Sequence, residues 1–250
     1  MFHLASSLYT QYTKREQYNI LILGLDNAGK TTFLEHVKLL YPSSSSSDSK
    51  RRSSIKKRKN SQDESAEQTE RTTSDILKGK RILPTVGQNT TTIKFESSLE
   101  TQLSSQFKNI NLKFWDLGGQ KSLRSMWSRY FKQCHGIIFI IDSTDTERFQ
   151  ECYETLIDIA NDDSWIDEEA NGSMVNVPIL MLANKQDLPQ AVDLVSLKTG
   201  VFIKLVSELE ATDSKLLPVS VLENQGLKES LEWLVTRLIY NKSNKMPEYK

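Results

Sequence analysis

Residues 18–32 read YNILILGLDNAGKTT, and this stretch decides the fold. Tyr18 to Gly24 is a short apolar run that ends in glycine, which predicts a buried strand. Gly24 to Thr31 matches the pattern G-x-x-x-x-G-K-[ST], and apolar residues at helical spacing continue from there to Leu40. Strand, glycine loop and helix in this order are the context in which the pattern cradles phosphate groups.

Each residue type in this loop has a physical role. Glycines let the backbone wrap closely, so that N–H groups point at phosphate oxygens, and the helix N-terminus adds positive potential. We expect Lys30 to reach the β- and γ-phosphates and the Thr31 hydroxyl to ligate Mg²⁺. The alternative, a glycine turn before a helix, is disfavoured because the whole context is present. The predicted phosphate-site residues are Gly24, Leu25, Asp26, Asn27, Ala28, Gly29, Lys30, Thr31 and Thr32.

A second pattern, Asn184-Lys185-Gln186-Asp187, predicts which base is bound. It follows an apolar strand candidate, and ligands of open α/β sheets bind at the carboxyl ends of strands. A carboxylate there can accept hydrogen bonds from guanine N1–H and the exocyclic amine, which adenine does not present together. Asp187 is therefore the predicted guanine reader. The Lys185 stem is expected to lie along the base plane, and Asn184 to brace the site.

A third pattern, Trp115-Asp116-Leu117-Gly118-Gly119-Gln120, ends another strand candidate. Asp116 fits the acidic residue that holds Mg²⁺ through water, and the Gly119 N–H can bond the γ-phosphate. Gln120 follows at a position from which a side chain can orient the attacking water, so it is the predicted catalytic residue. A strand-end turn is the alternative for this pattern alone, and the order of all three patterns favours a GTP site.

Strand and helix patterns alternate along the rest of the chain. This alternation predicts an α/β fold with a mainly parallel sheet covered by helices on both faces. The strand candidates are Ile110 to Trp115, Gly136 to Asp142 and Val177 to Ala183, and the helix candidates are Glu147 to Ala160, Leu194 to Glu208 and Leu227 to Tyr240.

An insert at residues 43–80 breaks the alternation. From Ser43 to about Asp75 it is rich in serine and charge, so it cannot bury enough surface to offset its ordering entropy and is predicted to be a disordered loop. Its basic part, Lys50 to Lys59, leaves open a nuclear-import or phospholipid-binding role beside that of a solvated loop. A second polar stretch, Glu96 to Gln106, is interpreted as a hairpin tip.

Composition narrows the classes of function. The charges of the 32 basic and 32 acidic side chains cancel, so the net charge does not indicate binding to nucleic acid. The two cysteines, Cys134 and Cys152, lack metal-ligand spacing, which fits a reducing compartment. No apolar run approaches the roughly 18 residues of a membrane span, and the start lacks a signal-peptide pattern. We therefore expect a cytosolic protein whose membrane contact is peripheral.

The three patterns together resemble the Ras-like small GTPases, and specifically the ADP-ribosylation-factor branch. The marks of that branch are Gly24-Leu25-Asp26 with Ala28-Gly29, the pattern at 115–120, and Asn184 to Asp187. The resemblance covers nearly the whole chain outside the two polar inserts and is closest to the ADP-ribosylation-factor-related proteins. It implies the phosphate-loop small GTPase fold with a six-stranded, mostly parallel sheet, GTP or GDP with Mg²⁺ as cofactors, and hydrolysis of GTP.

The resemblance also assigns residues that local pattern leaves open. Pro84 to Gly87 corresponds to the first switch, whose Thr85 should bond Mg²⁺ and the γ-phosphate; alone, this stretch would indicate only a turn. Ser220-Val221-Leu222 corresponds to the fifth guanine motif, in which the Val221 N–H would read the guanine O6. Asp26 stands where Ras-like relatives have glycine, so it should crowd the γ-phosphate and keep unassisted hydrolysis slow.

Two features depart from the family. Asn89 to Trp115 resembles the hairpin between the switches, which slides in this branch on GTP binding. The first departure is Gln88, which stands where the family usually has the phenylalanine of an aromatic effector triad, beside Trp115 and Tyr130. The second residue is Phe2 and not the glycine that is myristoylated in most relatives, and the final MPEYK is not a prenylation motif. The effector set is therefore in question, and neither lipid anchor is expected.

Apolar residues nonetheless recur at helical spacing near the N-terminus, which predicts an amphipathic helix over residues 1–17. Such a helix either packs on the domain or contacts a membrane, and the resemblance favours its release on GTP binding. One short apolar face binds membranes weakly, so we expect an integral membrane receptor for an acetylated N-terminus as a second signal. The apolar residues are Phe2, Ala5, Leu8, Tyr9 and Tyr12.

The predicted organisation is the helix at 1–17, a GTPase domain at 18–242 interrupted by the insert at 43–80, and a C-terminal tail at 243–250. The expected function is a monomeric GTP switch that recruits effectors to the cytosolic face of the trans-Golgi membrane in vesicle trafficking, served by an exchange factor and an activating protein. The alternative is a GTP-binding scaffold with negligible hydrolysis. Gln120 favours the switch, whereas Asp26 and Gln88 leave room for the scaffold. A phosphate-loop kinase is disfavoured because Asn184 to Asp187 reads a base.

Overall fold

The structure is a computed structural model that describes residues 15–42, 82–96, 110–167, 173–174, 176–200, 202–203 and 213–250. Three sequence predictions lie outside those residues: the amphipathic helix up to residue 14, the whole insert at 43–80, and the hairpin tip from residue 97. They stay predictions.

Strands and helices alternate as the sequence predicts. The strands are β1 (Glu16–Leu23), β2 (Gln88–Phe95), β3 (Ile110–Leu117), β4 (Gly136–Asp142), β5 (Ile166–Asp167), β6 (Ser173–Met174), β7 (Ile179–Asn184), β8 (Ser214–Pro218) and β9 (Glu248–Tyr249). The α-helices are α1 (Lys30–Leu40), α2 (Lys121–Arg124), α3 (Ser128–Phe131), α4 (Phe149–Ala160), α5 (Leu194–Thr199) and α6 (Leu227–Tyr240), and short 3₁₀ turns lie at Thr146–Arg148, Asp163–Trp165 and Asn241–Ser243.

The main sheet has the strand order β2-β3-β1-β4-β7-β8, and β9 is added beside β1. The pairs from β3 to β8 are parallel, whereas β2 pairs antiparallel with β3 and β9 antiparallel with β1. β5 and β6 form a separate hairpin. The predicted mostly parallel α/β sheet is confirmed, with β9 as a seventh strand beyond the six expected.

Side chains of β1 alternate between two buried clusters. Ile20 and Ile22 pack in the cluster that contains residues of α1 and α6. Leu21 and Leu23 pack in the cluster that contains residues of α3, α4 and α5. Burial on both faces explains why this strand reads as an unbroken apolar run, and it confirms helices on both sides of the sheet.

Two predicted boundaries differ from the structure. β1 begins at Glu16, two residues before the predicted start of the domain, because Glu16 and Gln17 pair with β3 on one side and with β9 on the other. α5 ends at Thr199, where Gly200 closes the last turn through its N–H to the Ser196 carbonyl at 2.9 Å. The predicted continuation of this helix to residue 208 falls largely outside the described residues.

The predicted C-terminal tail at 243–250 is part of the sheet. Its residues Glu248–Tyr249 pair with Glu16–Gln17, and the backbones of Arg15 and Lys250 exchange hydrogen bonds of 2.8 and 3.0 Å. β4 pairs with β1 only from Ile20 onward, so backbone groups at the start of β1 need other hydrogen-bond partners on that side. β9 supplies them.

Candidate nucleotide-binding site

A cavity of about 360 Å³ opens beyond the carboxyl ends of β1 and β3. Ligands of open α/β sheets bind at this edge. The cavity brings together the phosphate loop, the first switch and the residues after β3, which are far apart in the sequence. Its lining contains Asp26, Asn27, Gly29, Lys30, Thr31, Thr32, Ile82, Leu83, Pro84, Thr85, Gly119, Gln120 and Lys185.

The phosphate loop has the tight backbone that the pattern predicts. Gly24, Asn27 and Gly29 have φ of +136°, +63° and +100°, within the range that glycine adopts most readily. A Cβ on Gly29 would lie 2.5 Å from Asn184 Nδ2, so the loop and the base-reading segment approach each other too closely for a side chain there. α1 begins directly afterwards at Lys30, so the first N–H groups of the helix are available to an anion.

Thr31, Thr85 and Asp116 meet at one corner of the site. Thr31 Oγ1 lies 2.8 Å from Thr85 Oγ1 and donates to Asp116 Oδ2 at 2.8 Å, and Thr85 Oγ1 lies 3.2 Å from the same oxygen. Asp116 is fully buried, and its Oδ1 has no hydrogen-bond partner among the described residues. A buried carboxylate oxygen needs a partner, and Mg²⁺ prefers oxygen ligands and retains its waters. The donor set therefore fits Mg²⁺ held by Thr31 and Thr85, with Asp116 acting through water.

Burial shifts the pKa values of two groups at this corner. It raises the pKa of Asp116, although the Thr31 hydroxyl and the Lys30 ammonium lower it in part. Burial likewise lowers the pKa of Lys30 to about 8, against the attraction of Asp116 and Asp26. Lys30 Nζ donates to the Leu25 carbonyl at 2.6 Å. Bound phosphates would raise the pKa of Lys30 again and a divalent cation would lower that of Asp116, which is the behaviour expected of a site for a metal–nucleotide complex.

Asn184 joins the phosphate loop to the segment after β8. Its Nδ2 donates to the Ala28 carbonyl at 2.9 Å, and its Oδ1 accepts from the Val221 N–H at 3.0 Å. The Val221 N–H, which the resemblance assigned to guanine O6, is thus bonded to Asn184 in this structure. Because Asn184 is buried, both ends of its amide require partners, and this explains the difference.

The side chains around Asp187, the predicted guanine reader, are also held by hydrogen bonds and an ion pair. Asp187 Oδ1 accepts from Ser220 Oγ at 2.6 Å, which leaves Oδ2 for a base. Lys185 has φ +67° and forms an ion pair of 2.5 Å with Asp142, which holds the lysine stem in place. Burial alone would raise the pKa of Asp142, but Lys185 and Thr144 hold it below its usual value. Asp142 was missed in the sequence, although its place at the end of a predicted strand next to the base site was a signal.

Gln120 is exposed at the rim of the cavity, directly before α2. The segment that carries it is anchored from behind, because Arg124 Nε donates to the Gly119 carbonyl at 2.9 Å and Trp127 Nε1 donates to the Gly118 carbonyl at 3.1 Å. A Cβ on Gly119 would collide with Lys30 Nζ and with the Gly24 carbonyl. The backbone of Gly119 is therefore next to the phosphate loop, where the sequence predicts its contact with the γ-phosphate.

A charge network that the sequence did not indicate borders Asp26. Arg148 Nη2 donates to Asp26 Oδ1 at 2.7 Å, and Glu151 accepts from both Arg148 Nε at 3.0 Å and Arg124 Nη1 at 2.8 Å. Partial burial would raise the pKa of Asp26, but Arg148, and more weakly Arg124, lower it below its usual value. Asp26 and Arg148 are 122 residues apart in the chain, so no local pattern could have paired them.

The expected effector patch is only partly aromatic. The rings of Trp115 and Tyr130 are 5.4 Å apart between centroids, and the Tyr130 hydroxyl donates to Gln88 Oε1 at 2.6 Å. Gln88 thus joins the patch by a hydrogen bond where the family has a third ring. A cavity of about 260 Å³ lies beside it, next to Leu123 and Met126.

Comparisons with known proteins identify a family, relatives and a similar fold. The model of the ADP-ribosylation factor family matches residues 4–44 and 72–238. The chain is 44% identical to ADP-ribosylation factor-like protein 3 of Saccharomyces cerevisiae over the full length of both, and 32% identical to human ADP-ribosylation factor-related protein 1 over 96% of this chain and 94% of that one. Its fold is similar to that of the Arl6 BBS3 small GTPase from Trypanosoma brucei with bound nucleotide analogue GppNp, with a TM-score of 0.62 and 20% identity over 90% of this chain and 99% of that chain.

Proposed function

Since this chain belongs to the ADP-ribosylation factor family of small GTPases, we propose that it recruits effectors to the cytosolic face of the trans-Golgi membrane in vesicle trafficking while GTP is bound. The chain binds GTP and GDP with Mg²⁺ and hydrolyses GTP, as members of the family do. Exchange factors, activating proteins and effectors are the general partners of such GTPases. The membrane, the compartment and the receptor for the N-terminus belong to the proposal.

The contact of Thr85 with Thr31 and Asp116 carries the proposal. It connects the first switch to the corner that fits Mg²⁺. Two residues later the Gly87 carbonyl accepts from the Gly118 N–H at 3.1 Å, next to the start of the β2–β3 pairing. When bound, Mg²⁺ neutralises phosphate charge. A change in what Thr85 contacts would be transmitted through Gly87 to the hairpin formed by β2 and β3.

Support for the membrane role comes from the sequence of the N-terminus. The apolar residues from Phe2 to Tyr12 have helical spacing, and β1 begins shortly afterwards at Glu16. None of the helices in the described parts of the chain is long and apolar enough to cross a membrane. From the spacing of these apolar residues we propose peripheral attachment through the released N-terminal helix and a membrane receptor, and we propose that the GTPase acts as a monomer.

The scaffold alternative, in which hydrolysis is negligible, finds less support. Gln120 lines the cavity, and Gly119 is anchored next to the phosphate loop. A scaffold has no need of a side chain that orients water. Membership in a family of GTP hydrolases points the same way.

The proposal is tested by Thr31→Asn in cells. Removing a predicted Mg²⁺ ligand should favour the GDP-bound or empty state, and the Golgi-associated fraction of the protein should fall at least about 5-fold. Thr236→Asn is the matched control, because the Thr236 hydroxyl bonds the Glu232 carbonyl of its own helix, α6, which does not line the cavity. Localisation is measured by imaging with a Golgi marker, and bound nucleotide by chromatography.

Unchanged Golgi localisation of Thr31→Asn, together with a measured loss of bound GTP, would contradict the link between nucleotide and membrane. It would leave the GTPase assignment intact. Localisation to a different membrane that still depends on GTP would contradict the compartment alone.

A further inference from the structure

Asp26 places a carboxylate at the rim of the nucleotide cavity. Its side chain is about half exposed (49%), and it lines the cavity together with Lys30, Thr85 and Gly119. GTP has one more phosphate group than GDP. This γ-phosphate adds negative charge at the position that Gly119 and Thr85 are predicted to contact. An unpaired carboxylate beside this position would repel GTP more than GDP.

Arg148 compensates this carboxylate. Its Nη2 lies 2.7 Å from Asp26 Oδ1, whereas the next cation, Arg124, lies 4.0 Å from the same oxygen. Arg148 is the last residue of the 3₁₀ turn before α4, so it reaches the phosphate loop from a different part of the sheet edge. The close pair therefore cancels most of the charge that Asp26 would present to the cavity.

Two further carboxylates hold Arg148 in place. Glu151 accepts from its Nε at 3.0 Å, and Asp145 lies 3.5 Å from its Nη1. Glu151 also accepts from Arg124, whose Nε donates to the Gly119 carbonyl. The guanidinium is thus fixed on three sides, and the same carboxylate connects it to the segment that precedes Gln120.

We propose that Arg148 is a specificity-determining residue that sets the ratio of the affinities of this site for GTP and GDP, because it neutralises Asp26 beside the position of the γ-phosphate. Arg148 acts through Asp26 and is a positioning residue. The inference deepens the nucleotide-binding part of the function. It rests on that part and does not depend on the membrane role.

A purely structural role for Arg148 predicts a different result. Asp145 and Glu151 are both three residues from Arg148, and such partly exposed ion pairs contribute little to stability. If Arg148 only secured the start of α4, its loss would weaken GTP and GDP binding equally. The ratio of the two affinities is therefore the readout that separates the roles.

The experiment measures the Kd of GDP and of a non-hydrolysable GTP analogue, with Mg²⁺, for Arg148→Gln. We expect the preference for the GTP analogue to fall about 5-fold while GDP affinity stays within about 2-fold, since the freed carboxylate acts mainly on the added phosphate. Arg237→Gln is the matched control: it also loses a close ion pair, to Asp213 at 2.5 Å, but on α6 away from the cavity. Arg148→Lys, which keeps the positive charge, should lie closer to the wild type.

Two further variants make the test decisive. The double variant Asp26→Asn with Arg148→Gln should recover the wild-type ratio, because the repelling charge is then absent. Asp26→Asn alone should raise the preference for the GTP analogue about 2-fold, since the carboxylate beside the added phosphate is then absent while Arg148 remains. This single variant keeps the proposal testable even if Arg148→Gln does not fold.

An unchanged ratio in Arg148→Gln would overturn the proposal, and so would a double variant whose ratio stays low. An unchanged ratio in Asp26→Asn would also overturn it. These outcomes leave nucleotide binding itself untouched. A wild-type protein that bound neither nucleotide would instead contradict the function from which the inference starts.

Discussion

The regions around the two ends of β1 both contain buried polar side chains, but these differ in whether the described residues supply their hydrogen-bond partners. At the carboxyl end, Asp116 has a buried oxygen without a partner among the described residues, and Lys30 is buried against the loop that forms the cavity. At the amino end, polar side chains bond one another and the backbone of the last residues of the chain. The difference distinguishes groups placed to bind a ligand from groups that stabilise the fold.

The amino end is satisfied within the chain. Glu248 accepts from Gln17 Nε2 at 2.9 Å and from Asn19 Nδ2 at 2.7 Å. His135 Nδ1 accepts from the Asn19 N–H at 3.0 Å, so the ring is assigned as neutral, with Nε2–H donating to the Met246 carbonyl at 2.9 Å. Substitutions here should change the free energy of unfolding with little effect on nucleotide affinity. Substitutions at the carboxyl end should change nucleotide affinity with little effect on the free energy of unfolding.

The largest effect should come from Asp187→Asn, which follows β7 at the same carboxyl edge of the sheet. The amide cannot accept both guanine donors, and a site built around such bonds rejects a mismatched partner strongly, so GTP affinity should fall on the order of 10³-fold. Affinity for xanthosine triphosphate should rise, because its extra carbonyl accepts from the new amide. The measurement is competition binding with GTP, ATP and xanthosine triphosphate.

Asp213→Asn provides the control for this prediction from the opposite edge. Asp213 precedes β8 and pairs with Arg237, so its substitution should leave the affinity for all three nucleotides unchanged. Loss of GTP without gain of the xanthine nucleotide would contradict a direct contact between Asp187 and the base. ATP that competed as well as GTP with the wild type would contradict the guanine assignment.

Gln120→Leu should have the next largest effect. It removes the group that orients water and leaves the phosphate loop and the Thr31–Asp116 corner intact, so hydrolysis stimulated by an activating protein should slow about 10²-fold. GTP affinity should stay within about 2-fold. Single-turnover hydrolysis with cell extract as the source of the activating protein measures the rate.

Gln133→Leu is the matched control for the hydrolysis experiment. Gln133 is also exposed, but its carbonyl accepts from Asn19 Nδ2 at the amino end of β1. Hydrolysis by the control should equal that of the wild type. Equal rates for Gln120→Leu and the wild type would remove Gln120 from catalysis and restore the scaffold alternative.

The sequence predicted the two ends unequally, and for a physical reason. The carboxyl end is built from contiguous patterns such as residues 24–31 and 184–187, because each loop must shape its backbone around a ligand locally. The amino end depends on Glu248, 231 residues from Gln17, and a two-residue strand has no periodicity to detect. The pair of Asp26 with Arg148 escaped prediction in the same way, since a long-range ion pair leaves no local pattern.

The smallest effect concerns His135 and separates the ends by pH. Burial lowers the pKa of His135, against the opposing pull of the Met246 carbonyl, and Lys245 lowers it further while Glu248 raises it. The unfolded chain binds a proton at this residue near pH 6.5, whereas the folded chain resists it. The free energy of unfolding should therefore decrease as pH falls below about 6.5.

We expect His135→Gln to be less stable than the wild type at about pH 7, because one of the two ring hydrogen bonds is lost, and to lose less stability on acidification. For one proton the difference in slope is at most about 1.4 kcal/mol per pH unit, and it is compared between about pH 7 and pH 5.5. Urea unfolding of the GDP-bound protein at both pH values measures it. His36, whose pKa burial also lowers, remains in both proteins, so its contribution cancels in the comparison.

Equal losses of stability on acidification would show that His135 does not carry the acid sensitivity. A changed ratio of GTP to GDP affinity in His135→Gln would show that the two ends of β1 are coupled.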